Sequence, residues 1–378
     1  MRFNQFTLAF CCALGSASFS VHALQTCPAT QRAASSPVVA PDPAATIEVN
    51  QVARRLAGLA PPADLASPAI VPYLDAANAG WKAYARDYGT PLAAWAARQV
   101  RPGSAQTVFY PFSGPDLPSM LAVFPGSVHY VMVSDQYANG YFDPFALKDP
   151  QLTRVLEDLG KAWISFGERG FFVTTELNQR GGGERKLQLT PTMILMAYAA
   201  RLGYEIRTIR PICLDADLTL RALEARSGAR WDSVRLDLRK AERDIIIDYV
   251  KQDLSDRGLQ KRADARAFIE SVARGPVLLK AASHLPQMPA FSIIRDAILN
   301  GAPLVVQDET GLEYDTLAAR FHVALHGEYV GAHRLFKEAT NPSLIKAYAE
   351  RAKEVRPLGF PLGYRKEAGA AIQVAVRK

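Results

Sequence analysis

Thr107–Asp135, TVFYPFSGPDLPSMLAVFPGSVHYVMVSD, is the stretch whose reading decides the fold. Val108-Phe109-Tyr110 is a β-branched and aromatic run suited to a buried strand. Ser113-Gly114-Pro115-Asp116 follows as a turn and a helix start. It offers a capping residue, a proline at the first helical position and an acid in the first turn. Leu117 to Phe124 is the helix, stopped by Pro125-Gly126. Tyr130-Val131-Met132-Val133 is a second strand that ends at Ser134-Asp135. A helix this short between two strands implies a right-handed crossover and parallel pairing. The expected fold class is α/β, with a parallel-rich sheet flanked by helices.

Upstream of this unit the chain reads as a leader and a spacer. Met1-Arg2 precedes an apolar run, Phe6 to Val21, that closes on Val21-His22-Ala23. One positive charge, a short apolar core and a small exit residue are the parts of a secretory signal peptide. The run is too short to span a bilayer. Residues 1–23 are therefore expected to be cleaved, and the protein to be periplasmic or secreted. Residues 24–69, rich in proline, alanine and serine, are expected to be an extended tether. Residues 70–378 are expected to form one α/β domain that opens with an N-terminal helical segment.

The 378 residues are 49% hydrophobic and 21% charged, an ordinary globular composition. Losing Arg2 takes the 44 basic residues to 43 against 37 acids, a net charge of +6. From Arg221 to Arg274 the two signs alternate closely, as on a solvated surface, and no aromatic residues interleave a basic cluster. Nucleic acid is not an expected partner. Of four cysteines, Cys11 and Cys12 leave with the leader. Cys27 and Cys213 then stand in an oxidising compartment, where they can pair or remain free thiols. Leu24-Gln25-Thr26-Cys27 is also an imperfect lipoprotein box, which makes Cys27 a candidate lipid anchor.

Helix signals come at Tyr73-Leu74, Trp81, Tyr84 and Leu92 to Trp95, with a break expected at Gly89 and Pro91. Trp81 and Trp95 read as core packing. Leu152 to Phe166, Thr190 to Leu202, Ala263 to Ala273 and Phe291 to Leu299 read as helices. Phe171 to Leu177, Tyr204 to Cys213, Val234 to Leu238, Ile245 to Val250 and Leu304 to Val306 read as strands. Arg180 to Glu184 reads as a turn, without the Lys-Ser/Thr ending of a phosphate loop.

Ligands of open α/β sheets sit beyond the carboxyl ends of the strands. That edge is expected to gather Ser113, Gly114, Asp116, Asp135 and Asp308 around a small anionic or polar ligand, with Thr174 to Glu176 and Glu309 nearby. A helix beginning at Pro115 would aim amides at an anion, although Asp116 in its first turn already satisfies that dipole. Asp135 stands where nucleotide-binding sheets hold a ribose, but the turn has one glycine and not three. The plainer reading is that Gly114 makes the turn and Asp135 caps a loop. No particular cofactor is specified.

Two catalytic readings compete with this. Ser113 sits at a strand-to-helix turn, as the nucleophile of GxSxG hydrolases does, and the order Ser113, Asp308, histidine is compatible with a triad. Its flanks are Pro111 and Pro115, however, and a capping serine accounts for it. His322, His326 and His333 form the histidine cluster. If helical, the first two lie one turn apart and could offer two nitrogens to a metal, with Glu328 or Glu309 adding an oxygen. The glutamate of HExxH is missing, and structural histidines are the plainer reading. Lys280 and His284, in LLKAASHLP, follow an apolar run and could reach the same edge.

At YPFSGPD (Tyr110 to Asp116) the chain resembles a group of exported bacterial proteins that carry this string after a strand. KAASHLP (Lys280 to Pro286), FSIIRDAIL (Phe291 to Leu299) and VVQDETG (Val305 to Gly311) look like later signatures of the same group. The resemblance spans most of Trp81 to Arg377 and implies export and a Rossmann-like sheet, with no activity attached. A looser likeness is to the nucleoside site of class I methyltransferases, from which the single glycine departs. The function expected is a ligand-binding module. The alternatives are a hydrolase using Ser113 or a metal, and a non-catalytic envelope interaction protein.

Overall fold

The computed structural model describes residues 24–27, 43–59, 68–101, 107–171, 189–224, 231–365 and 370–378. The leader 1–23, the expected strand Phe171 to Leu177 beyond Phe171 and the turn Arg180 to Glu184 lie outside them. In chain order the elements are α1 (Pro43–Leu56), α2 (Ile70–Tyr84), α3 (Thr90–Gln99), β1 (Thr107–Pro111), α4 (Leu117–Val123), β2 (His129–Ser134) and α5 (Gln151–Arg169). Then come α6 (Pro191–Arg201), β3 (Glu205–Leu214), β4 (Leu220–Ala222), β5 (Ser233–Lys240), β6 (Arg243–Lys251), α7 (Asp256–Gln260) and α8 (Ala263–Val272). The last are β7 (Val277–Leu279), α9 (Ser292–Gly301), β8 (Leu304–Asp308), α10 (Tyr314–Arg320), β9 (Phe321–Gly327), α11 (Pro342–Glu350) and β10 (Ala371–Arg377).

The strands form one sheet in the order β4-β3-β5-β6-β2-β1-β7-β8-β10-β9. Its middle is parallel: β1 pairs with β2 and β7, β2 with β6, and β7 with β8. The flanks β4-β3-β5 and β10-β9 are antiparallel. Parallel strands need both faces covered, and alternation along each strand supplies two cores. Val108 and Tyr110 of β1 pack with α1 to α6 on one face. Phe109, between them, packs with α7 to α11 on the other. The result is a three-layer sandwich.

Two expectations change. Part of the expected tether is α1, whose Val49, Val52, Ala53 and Leu56 are buried at helical spacing. A proline-rich composition had masked that four-residue stripe. The expected break at Gly89 and Pro91 is instead a π turn, Ala85–Gly89, through which α2 runs into α3 with helical backbone angles. The proline sits in the first turn of α3, and the wider turn before it lets the helix pass.

At the N-terminal end of the described chain, Leu24 is fully buried and Thr26 bridges to Leu214. Cys27 is disulfide-bonded to Cys213. Its sulfur is therefore taken, and the lipid-anchor reading of Cys27 gives way to the disulfide. Among the described residues no helix is long and apolar enough to cross a membrane.

Candidate functional site

The strand after β1 in sequence lies on one side of it and β7 lies on the other, so the order reverses at β1/β7. The helix that follows β1, α4, packs on one face of the sheet, whereas α9, which follows β7, packs on the opposite face. In doubly wound sheets, segments that leave two adjacent strands toward opposite faces part at the carboxyl ends, so β1/β7 is where the topology puts a crevice.

The β1 side of that crevice is the turn Phe112–Asp116. Phe112 (φ 59°) and Gly114 (φ 51°) are left-handed, and the Ser113 amide donates to Val133 O at 3.1 Å. A Cβ added at Gly114 would meet nothing within 4 Å, so the tip of the turn faces open space. Ser113 and Asp116 on either side are only 8% and 7% exposed. The helix starts at Leu117, as its apolar run suggests and two residues after the Pro115 start that an anion site would use, and has seven residues. Asp116 occupies its N-cap without capping it. So short a helix with a carboxylate at its head is a poor anion site, and the anionic half of the ligand expectation loses its physical basis.

Asp116 has another role. Lys280, 3% exposed and just past β7, donates from Nζ to Asp116 Oδ2 (2.8 Å), Ser119 Oγ (2.7 Å) and Gly170 O (3.2 Å). The hydroxyl of Tyr110 also donates to Asp116 Oδ2, at 3.0 Å. All three ammonium protons are used, which is what allows the charge to be buried. Among the described residues, Asp116 Oδ1 and Ser113 Oγ have no hydrogen-bond partner.

The β7 side is a run of unusual backbone. Ala281, Ser283 and His284 have φ of 52°, 52° and 59°. Left-handed conformations of non-glycine residues cost of order 1 kcal/mol each and persist where surrounding structure dictates them. Asp308, at the end of β8, does much of the dictating. Its Oδ2 accepts from the Ala281 amide at 2.8 Å, and its Oδ1 accepts from the amide and hydroxyl of Thr310. Thr310 Oγ1 in turn accepts from the Ala282 amide at 2.7 Å. Gly363 lies against the same carboxylate, where any Cβ would collide with it. Tyr364 reaches over the loop with its hydroxyl 2.6 Å from Ser283 Oγ and 3.2 Å from Ala281 O. Burial raises the Asp308 carboxyl despite these bonds. Glu309 is pushed up to about 7 by burial and by the charge of Asp308, with Arg365, 3.0 Å from its Oε1, acting in opposition.

Of the residues expected at this edge, Ser113, Gly114, Asp116 and Asp308 converge on the β1/β7 crevice. Asp308 does so as the clamp of the β7 loop. Asp135 lies past the end of β2 and is exposed. Thr174 to Glu176 lie outside the described residues. His322 and His326 are on strand β9, so four residues separate them by roughly 13 Å. His322 is exposed, whereas His326 is buried and accepts from Trp95 Nε1 at 3.2 Å. The pairing of these two on one metal required a helix, and the strand removes it. Among the described residues no group of three or more His, Cys, Asp or Glu could hold a metal ion. Sequence reasoning missed the Lys280–Asp116 pair, which joins residues 164 positions apart.

Comparison of the chain with protein-family models, with curated proteins and with solved structures finds no match.

Proposed function

We propose that the protein is an exported, Rossmann-like module that binds a small polar ligand in the β1/β7 crevice. The observation that carries this reading is the open tip at Gly114 beside Ser113 Oγ, a buried hydroxyl with no partner. Leaving such a group unsatisfied costs about 1–3 kcal/mol, which a ligand that pairs with it would recover. The parallel block β6-β2-β1-β7-β8 supports the fold half of the proposal, since it follows the 3-2-1-4-5 order of doubly wound nucleotide-binding sheets. Four of the seven left-handed non-glycine residues among those described flank the same crevice, the kind of backbone strain that gathers at ligand sites. The disulfide supports export into an oxidising compartment.

A hydrolase reading needs a base on Ser113, and its hydroxyl makes no hydrogen bond, so no observation favours it. The test is a thermal-shift screen of sugars, polyols, amines, nucleosides and anions against the wild type and Ser113→Ala. A ligand of this site raises the melting temperature by mass action, and the substitution reduces that rise. A screen without a response, or a response that Ser113→Ala leaves untouched, overturns the proposal.

A further inference from the structure

In the segments that follow β7 and β8, two more polar atoms are buried without a partner among the described residues: His284 Nε2 and Glu309 Oε2. Both residues are 1% exposed, and Gln287 joins them. Its Nε2 donates to Glu309 O at 3.2 Å and to Gly311 O at 2.8 Å, which consumes both amide protons. Its Oε1 therefore faces His284 Nδ1, 3.1 Å away, as an acceptor. That assigns the proton of the neutral ring to Nδ1 and leaves a lone pair on Nε2. Burial lowers the basicity of the ring and keeps it neutral.

The orphan atom of His284 is thus an acceptor, and Glu309 Oε2 is one in the ionised carboxyl, the form that a bound cation favours. The local charge has the same bias: Asp308 and Glu309 face one cation, Arg365, while Lys280 and Asp116 balance each other. Outside these groups stand aromatic rings that remain partly exposed. The Phe336 ring is 5.4 Å from His284 and 4.8 Å from Tyr364, and Tyr364 is also 6.2 Å from the His333 ring. Acceptors at the back, two buried carboxyls sharing one cation and π faces at the rim are the complement of an ammonium group.

We infer that the ligand carries a primary ammonium, received by Glu309 Oε2 and His284 Nε2 behind a rim formed by Phe336 and Tyr364. This rests on the crevice being a ligand site. An anion would bring further acceptors to atoms that need donors. A neutral polyol could donate, but would do nothing to favour the ionised form of Glu309.

The test is calorimetric titration of putrescine and glucosamine beside their neutral counterparts 1,4-butanediol and glucose, with inorganic phosphate as the anion. The amines are expected to bind at least tenfold more tightly than their counterparts. Glu309→Gln, nearly isosteric, is expected to remove at least tenfold of that affinity. Phe336→Leu, at a half-buried rim position, is expected to weaken the amines and is the second variant should Glu309→Gln misfold. Equal binding of diol and diamine, tighter binding of phosphate, or amine affinity unchanged in both variants overturns the ammonium inference while leaving the crevice a ligand site. If no probe binds and the broader screen against wild type and Ser113→Ala is also silent, the crevice reading itself falls.

Discussion

Lys280 Nζ lies 2.8 Å from Asp116 Oδ2, with the two side chains 3% and 8% exposed. The pair ties the loop after β7 to the turn after β1 and fixes the width of the crevice between them. Removing one member leaves the other charge buried alone, which costs about 3–5 kcal/mol, well above the ~1 kcal/mol of an ordinary hydrogen bond. Lys280→Met and Asp116→Asn are each expected to lose about that much in urea unfolding. The double variant should lose clearly less than the sum, because neither residue is then left as an uncompensated ion. Strictly additive losses would show that the two do not act as a pair.

Much of the frame was legible in local sequence. The β1-α4-β2 unit is written in contiguous residues, where a turn, a helix stop and two apolar runs each carry their own signal, and the observed β1/β2 pairing is parallel. Thr190 caps α6 as its position before Pro191 suggests, accepting from the Met193 amide at 3.1 Å. What was not legible depends on tertiary partners. His322 and His326 share a spacing that suits a helix, but β10 pairs with Phe321–Gly327 and holds it as a strand. The acids of the site were visible as residue types, whereas their roles were not. Whether Asp116 meets a ligand or a lysine depends on Lys280, and no local pattern links positions 116 and 280.

The disulfide makes a prediction about the N-terminal segment. Cys27 and Cys213 are 186 positions apart, and chain-entropy arguments give about 5 kcal/mol as the most such a closure contributes. The bond also holds Leu24 in the core, where its amide donates to Gln252 Oε1 at 3.3 Å. Replacing both cysteines with serine is expected to lose about 2–5 kcal/mol and to expose the segment around Leu24 to proteases. Intact-mass measurement of protein exported to an oxidising compartment should show a gain of two hydrogens on reduction. An acyl mass on Cys27 would contradict the assignment.

Two glycines at the ends of β1 should respond in opposite ways to alanine. At Gly275 a Cβ would run into Thr107 O, a carbonyl fixed in the sheet. Gly275→Ala is expected to lose about 1–3 kcal/mol or more, as overpacked sites do. At Gly114 the space is open and only the left-handed backbone (φ 51°) resists, so Gly114→Ala should lose about 1 kcal/mol. Its methyl group would nevertheless project into the crevice, and ligand-induced stabilisation should fall far more than stability does. Urea unfolding with and without ligand separates the two effects. A Gly114→Ala protein that binds normally would move the ligand away from this turn.

Stability as a function of pH should contain two opposing limbs. Glu309 is raised to about 7 from an ordinary 4.5, by burial and then by Asp308. Its folded form holds a proton that the unfolded chain releases, so its stabilising effect is complete below 4.5 and is lost as pH rises through about 7. Asp308, also raised by burial, acts in the same direction. His326 is lowered to about 4 from 6.5 by burial and then by Arg356. Protonating it would also disrupt the bond it accepts from Trp95 Nε1. Its effect is therefore complete above 6.5 and is lost as pH falls through about 4. At 1.36 kcal/mol per unit each limb is worth at most roughly 3 kcal/mol, and between pH 4.5 and 6.5 the two largely cancel in the wild type. Glu309→Gln removes the first limb, so relative to wild type it should gain stability from pH 4.5 to 8. His326→Gln, which keeps an acceptor for Trp95, should gain relative to wild type as pH falls from 6.5 to 4. Urea midpoints at pH 4.5, 5.5, 7 and 8 read both slopes. Parallel profiles for the wild type and either variant would show that the substituted group does not titrate differently on folding.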